Sequence, residues 1–400
     1  MSGPLFESGE VLERFGYDLN AAARRGDLMP VSCRDEEIER MIDILLRHSK
    51  HNPALIGAAG VGKTALVEGL AQRIVAGTVP AALRDSRIVS LDHMALLAGT
   101  VFRGQYEERV RRLVEAVTAD PDVILFIDEM HNLIGQGTAL GVAMDAANML
   151  KPALVREDMR VIGATTAAEY ERWIKGDPAL ERRFQPLLVR ELTPEESMGV
   201  LQQRRPRLEH HHVVAISDDA LRAAVVLTGQ FVPDRALPDK AIDVLDEACA
   251  HAQASAQLPP DLERIVRERR RVDAAIRRRL ARGEPLDGPD AVAATGPDPI
   301  EIFQKEIWPA LERLGREIDR VFGAKANEVS GGKVDEVKAA NEVSEAKREA
   351  TGSGETLVQQ RERLDRELRR GLEQLGIVVT GKDIARVVSV AVGKRIEWAA

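Results

Sequence analysis

The sequence predicts an α/β domain built on a parallel sheet, followed by a small helical domain and a helical, coiled-coil C-terminal region. Three observations predict it. Short apolar runs at 54–56, 88–91, 123–127 and 161–162 alternate with helical patterns, and such alternation implies parallel strands covered on both faces. From Thr193 onward the pattern turns purely helical. Farther on, Ile300, Phe303, Ile307, Leu311, Leu314, Ile318 and Val321 step by three or four residues, the narrow apolar seam of coiled coils and helix pairs.

The first helical pattern covers 35–49, where Ile38, Met41, Ile42, Leu45 and Leu46 share one face. The four apolar runs follow, and 187–189, just after Pro186, reads as a last strand. These place the large α/β domain at 1–192. Thr193-Pro194-Glu195-Glu196 is a helix start, with a capping hydroxyl, proline in the first turn and acids against the helix dipole. Helices near 194–206, 217–229 and 238–255 make a small domain over 193–258. Residues 259–376 form a helical middle region in which Pro309 kinks the seam. Within it, 283–298 and 323–355 read as linkers rich in Gly, Ala, Ser and charge. A strand-helix pattern over 377–400 returns to the small domain.

Composition narrows the function. Lys and Arg number 56 against 64 Asp and Glu, a net charge of -8, which argues against a general nucleic-acid coat. No apolar run approaches the ~20 residues of a membrane span, and the N-terminus lacks a signal-peptide pattern. Cys33 and Cys249 have no metal or disulfide spacing, which makes a reducing cytoplasm the expected location. His210-His211-His212 reads as a structural loop, because consecutive side chains rarely converge on one ion. Residues 262–282 are dense in arginine. They read as the solvated face of a helix whose apolar side is Leu262, Ile265, Val266, Val272, Ile276 and Leu280, with a nucleic-acid or acidic-partner contact as the alternative.

The chemistry is carried by two segments. Gly57, Gly60, Val61, Gly62, Lys63, Thr64 and Ala65 fall in a phosphate-loop pattern between a strand and a helix. Its glycines let backbone N–H groups turn toward phosphate oxygens, and the helix N-terminus adds positive potential. Lys63 is expected to neutralise the β- and γ-phosphates of ATP, and the Thr64 hydroxyl to ligate Mg²⁺. Asp128 closes the apolar strand at 123–127, at the edge where open α/β sheets bind ligands. It is the second expected Mg²⁺ ligand, and Glu129 beside it the base for the attacking water.

Around these segments the chain resembles the first ATPase module of the Clp AAA+ unfoldases, the group of ClpB, ClpA and ClpC. The resemblance rests on Lys63-Thr-Ala-Leu-Val-Glu-Gly-Leu-Ala-Gln72, Phe126-Ile-Asp-Glu-Met-His131, Gly163-Ala-Thr-Thr166, Ala179-Leu-Glu-Arg-Arg-Phe184 and Leu237-Pro-Asp-Lys-Ala-Ile-Asp243. It covers roughly 11–255 and returns at 379–393. It implies that Thr166 senses the γ-phosphate, that Arg182 and Arg183 are finger arginines given to a neighbouring subunit, and that Pro238, Asp239 and Lys240 pack near base and ribose. Val31 and its neighbours border the adenine, with Ser32-Cys33 where the family usually has Ile-Gly. Val101-Phe102-Arg103-Gly104 matches the pore loop that grips polypeptide, its aromatic being Phe here and a typical preceding Lys being Val. A core phenylalanine is the alternative for Phe102.

The resemblance implies an ATPase ring, a hexamer, that threads or remodels unfolded or aggregated protein, with an adaptor as a further partner and neither membrane nor nucleic acid involved. Two other readings stand beside it: a regulatory switch presenting the C-terminal helices to a partner, and a DNA-linked loader using the arginine-rich helix.

Overall fold

The computed structural model describes residues 8–99, 103–134, 152–153, 159–282, 284, 286 and 355–399. The seam at 300–321, Pro309 and nearly all of both linker stretches lie outside them. The chain forms two compact units, Met1–Pro259 with Arg369–Ala400, and Pro260–Leu368.

The first unit opens with α1 (Ser8–Phe15), β1 (Gly16–Asp18), α2 (Leu19–Arg25) and α3 (Asp35–Leu45). Then β2 (Asn52–Ile56), α4 (Lys63–Val75), β3 (Arg87–Leu91), α5 (His93–Leu97), α6 (Arg103–Ala119), β4 (Val123–Ile127) and α7 (His131–Ile134) alternate. They are followed by β5 (Arg160–Thr165), the one-turn α8 (Ala167–Glu169), α9 (Pro178–Glu181) and β6 (Phe184–Leu188). The strands form one sheet in the order β1-β3-β4-β5-β2-β6. All neighbours are parallel except β1, which runs antiparallel to β3. That edge strand is the departure from the all-parallel expectation. Gly16-Tyr17-Asp18 has no apolar run to betray it, and edge strands are often this short.

The inner strands are hydrophobic throughout because both of their faces are buried. Side chains alternate across the sheet. Val123, Leu125 and Ile127 join Val11, Leu113 and Phe184 in one core layer. Ile124 and Phe126 join Met41, Leu66, Leu70 and Ile162 in the other. The loops at the C-terminal ends of β2, β4 and β5 are thereby held on a packed platform.

The helical part of this unit contains α10 (Pro194–His212), β7 (Ala215–Ile216), α11 (Asp218–Phe231) and α12 (Asp239–Ser255). Thr193 and Glu196 close a reciprocal capping box at the start of α10. This helix runs through exposed Pro206, whose missing N–H leaves the carbonyl of residue 202 without its helical donor. The three histidines therefore form its last turn rather than a loop. His212, 5% exposed, has Nε2 2.8 Å from Asp246 Oδ1 and Nδ1 3.1 Å from Gln253 Oε1. No metal cluster occurs among the described residues.

In the second unit α13 (Pro260–Arg282) packs Val272 and Ile276 against Leu357 and Leu364 of α14 (Leu357–Gln374). Arg269, 3% exposed, donates to Asp365 Oδ1 at 3.2 Å, and Arg361 lies 3.3 Å from Asp273. Arg264 and Arg267 lie within 3.8 Å of Glu268 and Glu263. Arg264, Arg267 and Arg269 of this helix are thus each paired with an acid. The first unit resumes with β8 (Val378–Val379), which pairs parallel with β7, and α15 (Gly381–Val392). Val379, Ile384 and Val388 of this returning segment share a core with Leu201, Leu221 and Leu245. No helix among the described residues is long and apolar enough to cross a membrane.

Candidate functional site

The loop between β2 and α4 needs its glycines. A Cβ on Gly57 would stand 2.7 Å from the Val189 carbonyl oxygen, and one on Gly60 2.8 Å from Asp239 Cβ. Gly60 and Gly62 have φ of 82° and 93°, a region that L side chains enter at a cost. Gly62 caps α4 without a side chain, so the first-turn N–H groups face the loop's hollow. Lys63 Nζ donates to the carbonyls of Gly57 and Ala58 at 3.0 and 2.9 Å. Burial pushes its ammonium pKa down, against the pull of Asp128, Glu169 and Glu129.

Three strand ends converge on this lysine. Asp128, after β4, accepts from the Thr64 hydroxyl at 2.8 Å. Glu129 sits at φ 47°, an uncommon setting for a non-glycine residue. Its N–H donates to Asp128 Oδ1 at 2.9 Å, and its carboxylate accepts from Asn132 Nδ2 at 2.9 Å. After β5, Thr166 caps α8 in a box with Glu169. Glu169 accepts from the Thr166 backbone N–H at 3.0 Å and from the Thr165 hydroxyl at 3.1 Å, and lies 3.0 Å from His131 Nδ1. Burial pushes the Glu169 carboxyl up, but these bonds and His131 outweigh it and hold the group below its ordinary value.

Most of these residues line a cavity of about 710 Å³, with Gly57 and Asn132 outside its lining. Gly60, Val61, Gly62, Lys63, Thr64 and Ala65 line it, as do Val31, Asp128, Glu129, Thr166 and Asp239. Other expected residues lie elsewhere. Lys240 is buried with its ammonium donating to the Val232 carbonyl at 3.1 Å, 3.6 Å from Glu191. Arg182 and Arg183 stand between α9 and β6, outside the cavity. Residue 52 pairs with 184 and residue 56 with 188, which sets the arginines at the end of the sheet away from the phosphate loop. Phe102 lies outside the described residues. Arg103 opens α6, and Gly104 is exposed there.

Sequence reasoning passed over Glu169, His131, Arg204 and Glu68, all on the cavity wall. Glu169 had a signal in its spacing from Thr166 in a capping box, and Glu68 and His131 stood inside motifs that carry the resemblance without a role assigned to them. Burial raises the Glu68 carboxyl pKa, opposed by Arg204 and Arg207.

A parallel sheet with a glycine phosphate loop, an acidic strand end and a helical second domain defines a nucleotide-binding ATPase fold. The family model described as "ATPase family associated with various cellular activities (AAA)" matches residues 53–191, and the AAA lid domain matches 193–286. The chain belongs to the Clp-type AAA+ family. Chaperone protein ClpB of Aquifex aeolicus is 52% identical over 271 residues, which are 68% of this chain and 27% of that protein. ClpB of Mesorhizobium japonicum is 40% identical over 95% of this chain and 44% of its own length. Among solved structures, the S. cerevisiae Hsp104-ADP complex is 36% identical with a TM-score of 0.57, over 77% of this chain and 49% of that one. An S. cerevisiae Hsp104:casein complex is 42% identical with a TM-score of 0.56, over 61% of this chain and 42% of that one. The chain therefore spans less than half the length of these relatives.

Proposed function

We propose that this chain hydrolyses ATP within a ring, a hexamer, and uses the energy to thread or remodel unfolded protein. The observation that carries the ATPase reading is the 2.8 Å contact of Thr64 with Asp128 at the mouth of the glycine loop, with Glu129 adjacent. A hydroxyl and a carboxylate converging there are the hard oxygen donors that suit Mg²⁺, and Thr64 and Asp128 are the residues that would hold it. When bound, it would supply positive charge against the negative charge that develops during phosphoryl transfer.

The protein's own groups do the rest. Lys63 exchanges the carbonyls of Gly57 and Ala58 for phosphate oxygens of ATP. Glu129 exchanges the Asn132 amide for the attacking water and takes its proton. Thr166, the cap of the one-turn helix that Glu169 fixes, faces the γ-phosphate. Arg182 and Arg183 serve the neighbouring subunit, and Phe102 carries the stroke to the polypeptide. Unfolded protein as substrate is supported by relatives named chaperones and by the Hsp104 structure solved with casein.

Turnover measured with and without casein tests the reading. Wild type should be stimulated. Lys63→Ala should lose ATP affinity, while Glu129→Gln should bind normally and turn over about 100-fold more slowly or worse, the usual range for a lost general base. Unchanged nucleotide affinity in Lys63→Ala refutes the phosphate assignment, and unstimulated turnover refutes the substrate class.

A further inference from the structure

His131 lines the cavity, and the chemistry above gives it no task. It opens α7, two residues after Glu129 and beside Asn132, whose amide holds the Glu129 carboxylate at 2.9 Å. This segment is pinned to β5. The Met130 N–H donates to the Ala164 carbonyl at 2.9 Å, and buried Met130 packs on Gly163, where a Cβ would collide with its sulfur. From that anchorage the His131 side chain, 17% exposed, reaches Glu169 in the turn after β5.

In that turn one oxygen is oversubscribed. Glu169 Oε2 accepts from the Thr166 N–H at 3.0 Å and from the Thr165 hydroxyl at 3.1 Å, and His131 Nδ1 stands 3.0 Å away. A carboxylate oxygen offers about two lone-pair sites, so a third donor finds them taken. Nδ1 is buried and, for all its closeness, makes no hydrogen bond among the described residues. Such an atom costs free energy until something meets it. Thr166 is bound to Glu169 a second time, its hydroxyl accepting from the Glu169 N–H at 3.4 Å. Whatever draws Thr166 away from Glu169 releases a place on Oε2, and the imidazole already stands beside it.

We infer that His131 is a positioning residue, which closes a hydrogen bond on Glu169 when a γ-phosphate draws Thr166, and so sets the loop of Glu129 in step with that turn. This role rests on the nucleotide reading of the site. It adds a link between the group that meets the γ-phosphate and the group that takes the proton from water. His131 acts through Glu169 and Glu129 and touches no reacting atom. Hydrogen bonds in such sites are often misaligned before the ligand binds and tighten in the complex.

Equilibrium ATP binding, steady-state turnover and thermal melting, read together, test this. His131→Phe keeps a ring but has no donor. It should melt and bind ATP as wild type does, and lower kcat about 10-fold or more, the worth of a hydrogen bond to a charged group. His131→Leu serves the same comparison where the larger ring unsettles the fold. His131→Asn, whose amide places an N–H close to the Nδ1 position, should recover most of the loss. In a Glu169→Ala background His131→Phe should cost nothing further, because the link is already broken. Wild-type turnover in His131→Phe overturns the inference, as does His131→Asn as slow as His131→Phe, or losses that multiply in the double variant. A loss confined to ATP affinity also overturns it, since His131 would then be a direct ligand contact. Each of these outcomes leaves the nucleotide reading intact, whereas wild type that binds no ATP overturns both.

Discussion

Arg34 joins α3 to the phosphate loop through one guanidinium. It sits at the head of α3, pairs with Glu37 on the first turn of that helix, and reaches the Val61 carbonyl in the phosphate loop. Its side chain is 4% exposed and that of Glu37 12%. Removing one partner of a buried pair costs about 3–5 kcal/mol, because the other charge is left desolvated. Arg34→Met should therefore lower unfolding stability by about 3 kcal/mol in a urea melt, and Arg34→Met with Glu37→Leu should recover most of that loss. A single mutant as stable as wild type would show the pair to be idle. At this scale the sequence was legible where covalent spacing fixes geometry, as between Lys63 and Thr64. It was not legible where neighbours diverge. Asp239 faces the cavity, but Lys240 is turned about 100° farther around α12 and spends its charge on Val232 and Glu191.

Among the elements, α10 carries a pH-dependent cap. The Arg190 guanidinium and the Thr193 backbone N–H hold the Glu196 carboxyl at about 2, against an ordinary 4.5. A carboxyl depressed in the folded state stabilises above its unfolded value and loses that contribution as pH falls from about 4.5 toward 2. Glu196 is partly solvated, so the contribution is about 1 kcal/mol after screening. Glu196→Gln should lower the melt at pH 7 by that amount and match wild type near pH 2. A constant gap across the range would assign the effect to packing instead. This cap was readable from Thr193 and Glu196 alone, because capping boxes are local. The antiparallel β1 was not, since its pairing with β3 is a tertiary contact across more than 70 residues of chain. Nor was the length of α10, because the bonds of His212 to Asp246 and Gln253 come from another helix.

Across the whole molecule, the placement of Arg182 and Arg183 bears on assembly. They stand about six strand residues from the phosphate loop of their own chain, roughly 20 Å at ~3.3 Å per residue, beyond a side chain's reach. The double variant Arg182→Ala, Arg183→Ala should bind ATP normally and turn it over at least about tenfold more slowly. Mixed with Glu129→Gln it should regain part of the activity, because some interfaces then pair an intact arginine face with an intact Glu129. Turnover per chain that stays constant down to a demonstrated monomer would exclude a shared site. The two-stranded pairing of Ala215–Ile216 with Val378–Val379 has a consequence of another kind, for birth on the ribosome. The phosphate loop and its sheet emerge early, yet the helical domain's core waits for partners that leave the exit tunnel roughly 160 residues after β7, some 8–32 s at ~5–20 residues per second. During that interval Leu201, Leu221 and Leu245 lack the cover that Val379, Ile384 and Val388 later supply, so the nascent chain passes through a stage at which part of its helical core is open to water.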